Sequence, residues 1–367
     1  MKRKKTAALL LSALIAVSML SACGNKPSDA SLSSPNTSKS DTSKSDASEP
    51  ETVYTFKIGI TNSLSDPEEP ETIFINTMQS ELKKLTNGAV VLDVYPNLQL
   101  GSMEEMRDMT VSGTLEGILT NINSVTPLYP DAMALVCPGI FADEAEINEV
   151  LRGDWGKEFF RKMADATNLY VAGVCSNGMR CYTSNKGPLN TVDSIKGQTI
   201  RVMQNPLCVP MAESVGINAV PMAGSEMYSA MQSGVVDGQE NPINSIINDK
   251  TYEVQKYLVL DKHMPSILTF VVSDSFYKSL PAEYQSAFDS AALTASEALA
   301  VAIDRVNVDG VEFLKNAGIE VYEPTADELK AWQDPVYEAC SAYLEAEIGT
   351  ETLDSLSAAV QQHRAGK

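Results

Sequence analysis

Residues 177–206 read NGMRCYTSNKGPLNTVDSIKGQTIRVMQNP, and residues 227–242 read MYSAMQSGVVDGQENP. In the first segment, Arg180 and Arg201 lie beside turn residues and lead into, or lie within, apolar runs that are typical of β-strands. A guanidinium group stays ionised, so burying it without acceptors is costly. We therefore expect residues 177–242 to form a cleft that binds a carboxylate.

The chain before this stretch alternates strand patterns with helix patterns. Strands are predicted for 54–61, 89–96 and 116–122, and helices for 71–88 and 102–113. This β-α-β-α-β order favours parallel strands joined by right-handed crossovers. The sequence therefore predicts an α/β fold.

A second alternating set follows. Its predicted strands are 169–176, 198–203 and 235–242, and its predicted helices are 206–216, 225–234 and 243–257. Ser225 is the expected N-cap of the middle helix and Gly234 its end. Residues 268–274 form a strand that we expect to return to the first sheet, and a long helix is predicted over 281–317. With 367 residues, the chain is long enough for two domains.

The N-terminus has the pattern of a targeting segment. MKRKK is basic, the following run is apolar, and LSAC ends at Cys23. We interpret 1–22 as a lipoprotein signal peptide and Cys23 as the lipidated (palmitate-bearing) first residue of an extracytoplasmic protein anchored to the cell membrane. An ordinary signal peptide is the alternative. Residues 23–53 combine this cysteine with a polar linker that we expect to be disordered.

Composition narrows the possible partners. The formal net charge is −20, and removal of the four basic leader residues would leave −24. A strongly acidic chain is a poor match for nucleic acid, which binds clustered lysine and arginine. The six cysteines have no CxxC spacing and only two histidines are present, so we expect no metal site and no cofactor. Free buried thiols are the favoured interpretation, and a disulfide remains open.

Catalytic motifs are scarce. No GxSxG, HExxH or P-loop pattern occurs, so we predict that the protein is not an enzyme. Asp237 and Glu240 are either paired acids for proton transfer or the brace of a turn, and the second interpretation is favoured. Arg201 either binds a ligand at a strand end or pairs with an internal acid. Arg180 lies at what looks like a turn exit, and Asn241 donates to a ligand or caps a helix.

Several blocks resemble one known family. Residues 54 to about 345 are similar to the DctP-type solute-binding proteins of TRAP (tripartite ATP-independent periplasmic) transporters. The matching blocks are TNGAVVLDVYPNLQLGSMEEM (86–106), NGMRCYTSNKGPL (177–189), IKGQTIRV (195–202) and, most specifically, AVPMAGSEMYSAMQSGVVDGQENP (219–242). The resemblance implies a two-lobed periplasmic-binding-protein-like fold with crossing hinge strands and a long C-terminal helix that bridges the lobes.

The resemblance also implies roles for single residues. It assigns the main salt bridge to a ligand carboxylate to Arg201, an assisting role to Arg180, and a place in the pocket wall to Asn241. From the first lobe it implies contacts near Thr61, Asn62 and Asn121.

Two positions depart from the family pattern. Gly224 stands where many relatives carry an aromatic residue, so one wall of the pocket is expected to differ. Asn121 stands where sialic-acid binders often carry an acidic residue, which disfavours that ligand.

These observations predict a protein that captures an organic acid, a carboxylate or sugar acid, and delivers it to the membrane subunits of a TRAP permease. The expected domains are lobe I, 54–176 plus 267–306, and lobe II, 177–266 plus 307–367. A sensory ligand-binding component, a secreted enzyme acting on a carboxylate, and a binding protein of an ATP-driven importer are the alternatives. The ligand itself is not identified.

Overall fold

The computed structural model describes residues 52–366, so the predicted leader, Cys23 and the linker up to residue 51 lie outside the described residues. Strands and helices alternate along the described chain. The strands are β1 (Tyr54–Ile60), β2 (Val90–Tyr95), β3 (Gly117–Asn121), β4 (Leu169–Ser184), β5 (Thr199–Val202), β6 (Asn218–Pro221), β7 (Gly238–Asn241), β8 (Tyr257–Val259), β9 (Met264–Ser273) and β10 (Glu320–Tyr322). The helices are α1 (Pro70–Thr86), α2 (Met103–Ser112), α3 (Glu144–Arg152), α4 (Asp154–Thr167), α5 (Cys208–Ser214), α6 (Gly224–Ser233), α7 (Ile243–Asn248), α8 (Asp274–Ser279), α9 (Ala282–Asn316), α10 (Ala326–Ile348) and α11 (Glu351–Ala365).

The first set of elements forms the predicted parallel sheet. Strand β1 pairs in parallel with both β2 and β3. Helix α1 begins at Pro70 after Glu69, whose side chain accepts from the Thr72 N–H, and α2 begins with a capping box between Ser102 and Glu105. These local caps explain why the sequence pattern located the helix starts correctly.

The second set forms another parallel group, in which β5 lies between β6 and β7. Gly234 ends α6 in a left-handed conformation (φ 74°), as predicted. The prediction of Ser225 as N-cap was wrong, because α6 begins at Gly224 and its cap residue, Ala223, offers no side-chain acceptor. The predicted helix 243–257 was also too long, since α7 ends at Asn248 and a strand, β8, follows.

Two long strands connect these groups. Strand β4 pairs with β9 over Leu169–Arg180 and then with β7 over Cys181–Ser184, while β9 also pairs with β3. The predicted end of β4 at residue 176 was wrong, because irregularities in the ladder around Gly173 and Gly178 let the strand continue. The resulting path of paired strands is β2-β1-β3-β9-β4-β7-β5-β6.

Helix α9 packs against both groups. Phe288, Leu299 and Ile303 belong to the core that covers β1 and β9, whereas Leu314 packs with residues of α7 and β8. By length and hydropathy α9 would suffice to cross a membrane, but ten of its residues are buried inside the protein. Burying an apolar side chain of this size contributes roughly 1.5–3 kcal/mol. The apolar character of α9 is thus explained by its role as a core helix.

Candidate functional site

A cavity of about 260 Å³ is lined by residues at the carboxyl ends of parallel strands from both groups. Thr61 and Asn62 follow β1, Asn121 ends β3, Arg201 lies next to the end of β5 and Asn241 ends β7. Ligands of open α/β sheets bind at such carboxyl ends. The volume is below the 300–1,000 Å³ range of drug-sized ligands, so the cavity suits a small metabolite.

All residues predicted from the sequence to contact a ligand lie on this one cavity: Thr61, Asn62, Asn121, Arg180, Arg201, Gly224 and Asn241. Their places in the chain span 181 positions, and the two-group topology brings them together. The geometry of each one shows which groups are free to bind and which are already engaged.

Arg201 has no acidic partner among residues 52–366. Its Nε and Nη2 donate to the carbonyl oxygen of Met222 at 3.0 and 2.7 Å, and Nη1 lies 3.6 Å from Sδ of Met227. Only 4% of Arg201 is exposed, and burial lowers the pKa of its guanidinium from the ordinary value. These contacts use three of the five N–H donors, so one N–H on Nη1 and one on Nη2 remain for a ligand, and two such N–H groups can bind a carboxylate.

Arg180 is the arginine that pairs with an internal acid. Its Nε donates to Oε2 of Glu240, and its Nη2 donates to Oε1 of Glu240 at 3.0 Å and to Oδ1 of Asn241 at 2.8 Å. The interpretation of Arg180 as a turn-exit residue was wrong, because it lies inside β4 and is 1% exposed. The sequence allowed Arg201 either to bind a ligand or to pair with an internal acid. In the structure it is Arg180, not Arg201, that pairs with an internal acid.

Glu240 also faces a histidine. Nε2 of His263 lies 3.5 Å from Oε2 of Glu240, and Nδ1 of His263 lies 2.7 Å from Oδ2 of Asp261. Desolvation by itself would raise the pKa of Glu240, but Arg180 and His263 outweigh it and lower that pKa to about 2. Burial disfavours the imidazolium of His263, yet Asp261 and Glu240 raise its pKa to about 9. Glu240 is thus the ionised centre of a buried charge network, and the pairing with Asp237 for proton transfer has no support in the contacts.

Asn241 holds Arg180 and completes the second-group wall. Its Oδ1 accepts from Arg180, and its Nδ2 donates to Oε1 of Gln239 at 2.6 Å. Its alternative role as a helix cap was wrong, because the cap residue of α7 is Pro242 and that position makes no side-chain cap bond. Gly224 leaves open space, since a Cβ built there would meet only Nη2 of Arg201, at 3.9 Å.

The first-group residues are more engaged with their own surroundings. Nδ2 of Asn121 donates to Oγ of Ser266 at 2.9 Å, while its Oδ1 accepts from the backbone and side chain of Asn123. The hydroxyl of Thr61 donates to Oδ1 of Asn62 at 3.2 Å. Asn121 therefore stabilises its own surroundings through hydrogen bonds. The side-chain nitrogen Nδ2 of Asn62, by contrast, makes no hydrogen bond within residues 52–366.

Sequence reasoning missed three acidic residues that line the cavity, Glu71, Glu104 and Asp249, and several amides, among them Asn244. Burial, and then repulsion from Glu69 and Asp249, raises the pKa of Glu71 well above its ordinary value. Asp249 is solvent-exposed, yet desolvation by the protein around it raises its pKa to about 6, and Arg201 and Arg180 oppose the shift. No pattern in the sequence singles out these residues. Glu71 lies in the first turn of α1, where an acid commonly stabilises the helix dipole, and Asp249 directly follows the end of α7.

Two α/β groups joined by long strands, with a shared cavity that presents a buried arginine without an acidic partner among residues 52–366, are the arrangement expected of a solute-binding protein. The chain belongs to the bacterial extracellular solute-binding protein family 7, the DctP family, whose model matches residues 61–346. The resemblance predicted from the 219–242 block is confirmed, and the family is one that acts outside the cytoplasm.

Sequence relatives and solved structures support the same family assignment. The C4-dicarboxylate-binding periplasmic protein DctP of Rhodobacter capsulatus is 29% identical over 303 residues, 81% of this chain and 89% of that protein. A TRAP periplasmic solute-binding protein from Desulfovibrio salexigens, solved with orotic acid, superposes with a TM-score of 0.79 at 28% identity, covering 84% of this chain and 99% of that one. The sugar acid binding protein DctPAm from Advenella mimigardefordensis, solved with galactonate, gives 0.78 at 26% identity, covering 85% and 99%. These matches confirm the two-lobed fold class.

Proposed function

We propose that this protein captures a small organic acid, holds its carboxylate with Arg201, and delivers it to the membrane subunits of a TRAP-type permease. The observation that carries the proposal is Arg201 itself. Its guanidinium is 4% exposed, pairs with no acid in residues 52–366, and keeps one N–H on each of Nη1 and Nη2 for a ligand. A buried cation with an unused bidentate edge is the complement of a carboxylate.

The roles of the other residues follow from their contacts. The positive charge of Arg180 is already compensated by Glu240. Arg180 therefore offers the ligand a fixed hydrogen-bond donor and an electrostatic field, but not a second uncompensated charge. Asn241 keeps Arg180 in place, and Asn62 and Thr61 complete the opposite wall. Arg201 is therefore the residue whose loss removes most of the affinity, on the order of 2–5 kcal/mol.

We propose that lobe I comprises 54–176 plus 267–306, and lobe II 177–266 plus 307–367. The exchange of partners along β4, from β9 to β7 beside Arg180, supports this division. Closure of the lobes would bury the ligand, which favours the closed form by binding it more tightly. We also propose that the ligand leaves chemically unchanged, and mass spectrometry of acid recovered after incubation tests this.

We propose further that Cys23 carries the lipid that anchors the protein. The basic and apolar leader, the LSAC ending and the polar linker support it. Expression with a labelled fatty acid should label the full chain, and Cys23→Ala should abolish the label and release the protein from membranes. Labelling that persists in Cys23→Ala would contradict the assignment.

The function is tested by calorimetry and thermal shift over carboxylates, sugar acids and keto acids, because a ligand specific to the folded state raises Tm. Arg201→Ala should weaken the best ligand by 30-fold or more, and Arg201→Lys should recover only part of the loss. Arg305→Ala is the matched control, since Arg305 pairs with Glu68 on the surface. A screen in which no acid shifts Tm, or equal affinity for Arg201→Ala and Arg305→Ala, would contradict the proposed function.

A further inference from the structure

Large apolar side chains from both groups of elements line the cavity. Three of them lie on α2, β3 and β9, and the other three lie directly after β5, directly after β6 and on α6. They are Met103, Leu119, Leu268, Met203, Met222 and Met227. Apolar surface that faces water gains free energy when an apolar group covers it. This apolar wall, defined by the six side chains, therefore favours a ligand whose body is apolar.

The guanidinium of Arg201 lies next to part of the apolar wall. Sδ of Met227 lies 3.6 Å from its Nη1, and the carbonyl oxygen of Met222 accepts from its Nε and Nη2. Gly224, two residues after Met222, leaves open space, because a Cβ built there would meet only Nη2 of Arg201, at 3.9 Å. There is therefore room for a bulky group, such as a ring, close to a carboxylate that Arg201 holds.

Many polar side chains of the cavity are hydrogen-bonded to one another. Nδ2 of Asn121 donates to Oγ of Ser266 at 2.9 Å. Nδ2 of Asn244 donates to Oδ1 of Asn177 at 2.9 Å, and Nδ2 of Asn177 donates to Oγ of Ser245 at 3.2 Å. Because these donors are already used inside the protein, a ligand rich in hydroxyl groups would have to compete with existing hydrogen bonds.

The cavity offers one cation without an acidic partner. Among residues 52–366, the cationic side chains that line it are Arg180 and Arg201, and Arg180 pairs with Glu240. Glu104 and Asp249 line the same cavity. A second carboxylate on the ligand would therefore find no free cation, in a cavity that already carries acids.

We propose that the ligand is an aryl monocarboxylate, with its carboxylate on Arg201 and its ring against the apolar wall. The inference rests on the proposed function and names the class of its ligand. A ring is favoured over an aliphatic chain because four of the six side chains are methionine, whose sulfur makes favourable contacts with aromatic rings and whose flexible chain adapts to a flat group. A polyhydroxylated acid would instead bring hydroxyls against apolar side chains, where they lose their hydrogen bonds to water.

The test measures affinities by calorimetry with the full chain. Benzoate, phenylacetate and 3-phenylpropanoate are compared with their cyclohexyl analogues, with C4 to C6 aldonates, and with succinate and terephthalate. The best aryl monocarboxylate should bind at least tenfold more tightly than every aldonate and dicarboxylate, and more tightly than its cyclohexyl analogue. Its heat-capacity change on binding should be negative, because apolar surface is buried.

Substitutions of two half-buried methionines test the apolar wall. Met103→Gln and Met203→Gln keep the length of the side chain but bring an amide against the ring, so each should weaken the best aryl acid at least fivefold. Met103→Leu and Met203→Leu keep the side chain apolar and should have much smaller effects. Met109→Gln is the matched control and should leave the affinity unchanged, because Met109 is half-buried on α2, as Met103 is, but does not line the cavity.

An aldonate, a dicarboxylate or a cyclohexyl acid that binds as tightly as the best aryl acid would overturn the inference. Aryl affinity that is unchanged in both glutamine variants would overturn it as well. Binding of another acid that still depends on Arg201 would leave the proposed function standing, whereas the absence of binding by any acid would contradict both.

Discussion

Arg180 and Glu240 face each other from antiparallel strands β4 and β7 and form a bidentate ion pair that is 1% and 0% exposed. The pairing register of β4 and β7 brings these two residues close together, because Cys181 is opposite Asn241 and Tyr182 is opposite Glu240. Nη2 of Arg180 also donates to the carbonyl oxygen of Glu240 at 2.5 Å. The two arginines of the cavity therefore differ, because Arg180 forms an ion pair with Glu240, whereas Arg201 forms no ion pair with an acid in residues 52–366.

Replacing Glu240 by glutamine should destabilise the protein strongly. The substitution keeps the shape but leaves Arg180 buried with an uncompensated charge, and breaking a buried pair in this way costs about 3–5 kcal/mol. The free energy of unfolding, measured by urea titration, should fall by that order.

The matched control is Glu323→Gln, which removes an acid from an exposed pair with Lys315. Its effect should be small, because solvent screens exposed pairs. Equal free energies of unfolding for Glu240→Gln and the wild type would contradict the prediction, because they would show that the Arg180–Glu240 pair does not stabilise the folded protein.

His263 should make stability depend on alkaline pH. Its folded-state pKa of about 9 is higher than the ordinary 6.5, so its contribution is fully present below about pH 6.5 and is lost as the pH rises through 9. The loss is on the order of 3 kcal/mol. The groups around it are Asp261, whose Oδ2 lies 2.7 Å from Nδ1 of His263, Glu240, whose pKa is lowered to about 2, and the stacked Tyr182, whose pKa is raised by burial.

The measurement is the unfolding free energy of wild type and His263→Gln between pH 6.5 and 9.5. The variant should be less stable at pH 6.5 and should show a flatter profile. A wild-type profile that is flat across this window, or that rises, would contradict a protonated His263 in the folded protein.

The order of strands and helices could be predicted because its signals are local. Ser102 and Gly113 mark the ends of α2 within the sequence itself, and the apolar neighbours of Arg201 indicate an interior strand. Arg180 was misjudged because its environment is made by Glu240, 60 residues away, and by the continuation of β4 through Gly178. A glycine beside an arginine looks the same in a turn and in an irregular strand.

The cavity as a whole could be predicted only in part. The family resemblance assigned Thr61, Asn121 and Asn241 to the pocket, and all three lie at or next to strand ends that line the cavity. Glu71 and Asp249 lie at helix ends, where acids and polar residues are common for other reasons. Their meeting depends on how α1 and α7 are placed, and no local pattern encodes that placement.

Asp249 should destabilise the ligand-free protein at neutral pH. Its pKa is raised to about 6 from an ordinary 3.8, so its favourable contribution is present below about pH 4 and is lost as the pH rises through 6. Because Asp249 is exposed, solvent screens part of this effect, so Asp249→Asn should raise Tm only slightly at pH 7.5 and have little effect near pH 4. A lower Tm for the variant at pH 7.5 would show that attraction to Arg201 outweighs burial.

Gly224, the first residue of α6, should tolerate a side chain, whereas Gly238 on β7 should not. A Cβ at Gly224 would meet only Nη2 of Arg201 at 3.9 Å, whereas a Cβ at Gly238 would lie 1.9 Å from the carbonyl oxygen of Thr183. Gly224→Ala should thus leave Tm within a degree or two of wild type, and Gly238→Ala should lower it severely, because backbone atoms must move.

A larger side chain at Gly224 should then change ligand choice without unfolding the protein. Gly224→Phe would place a ring beside the guanidinium of Arg201, where a cation–π contact is favourable, and would fill part of the 260 Å³ cavity. Affinity for the largest wild-type ligand should fall at least tenfold, while affinity for a shorter acid of the same type should change much less. Calorimetry with a homologous series measures both. Uniform weakening across the series would point instead to displacement of Arg201, and unchanged affinity for the longest ligand would show that Gly224 lies outside the space that the ligand occupies.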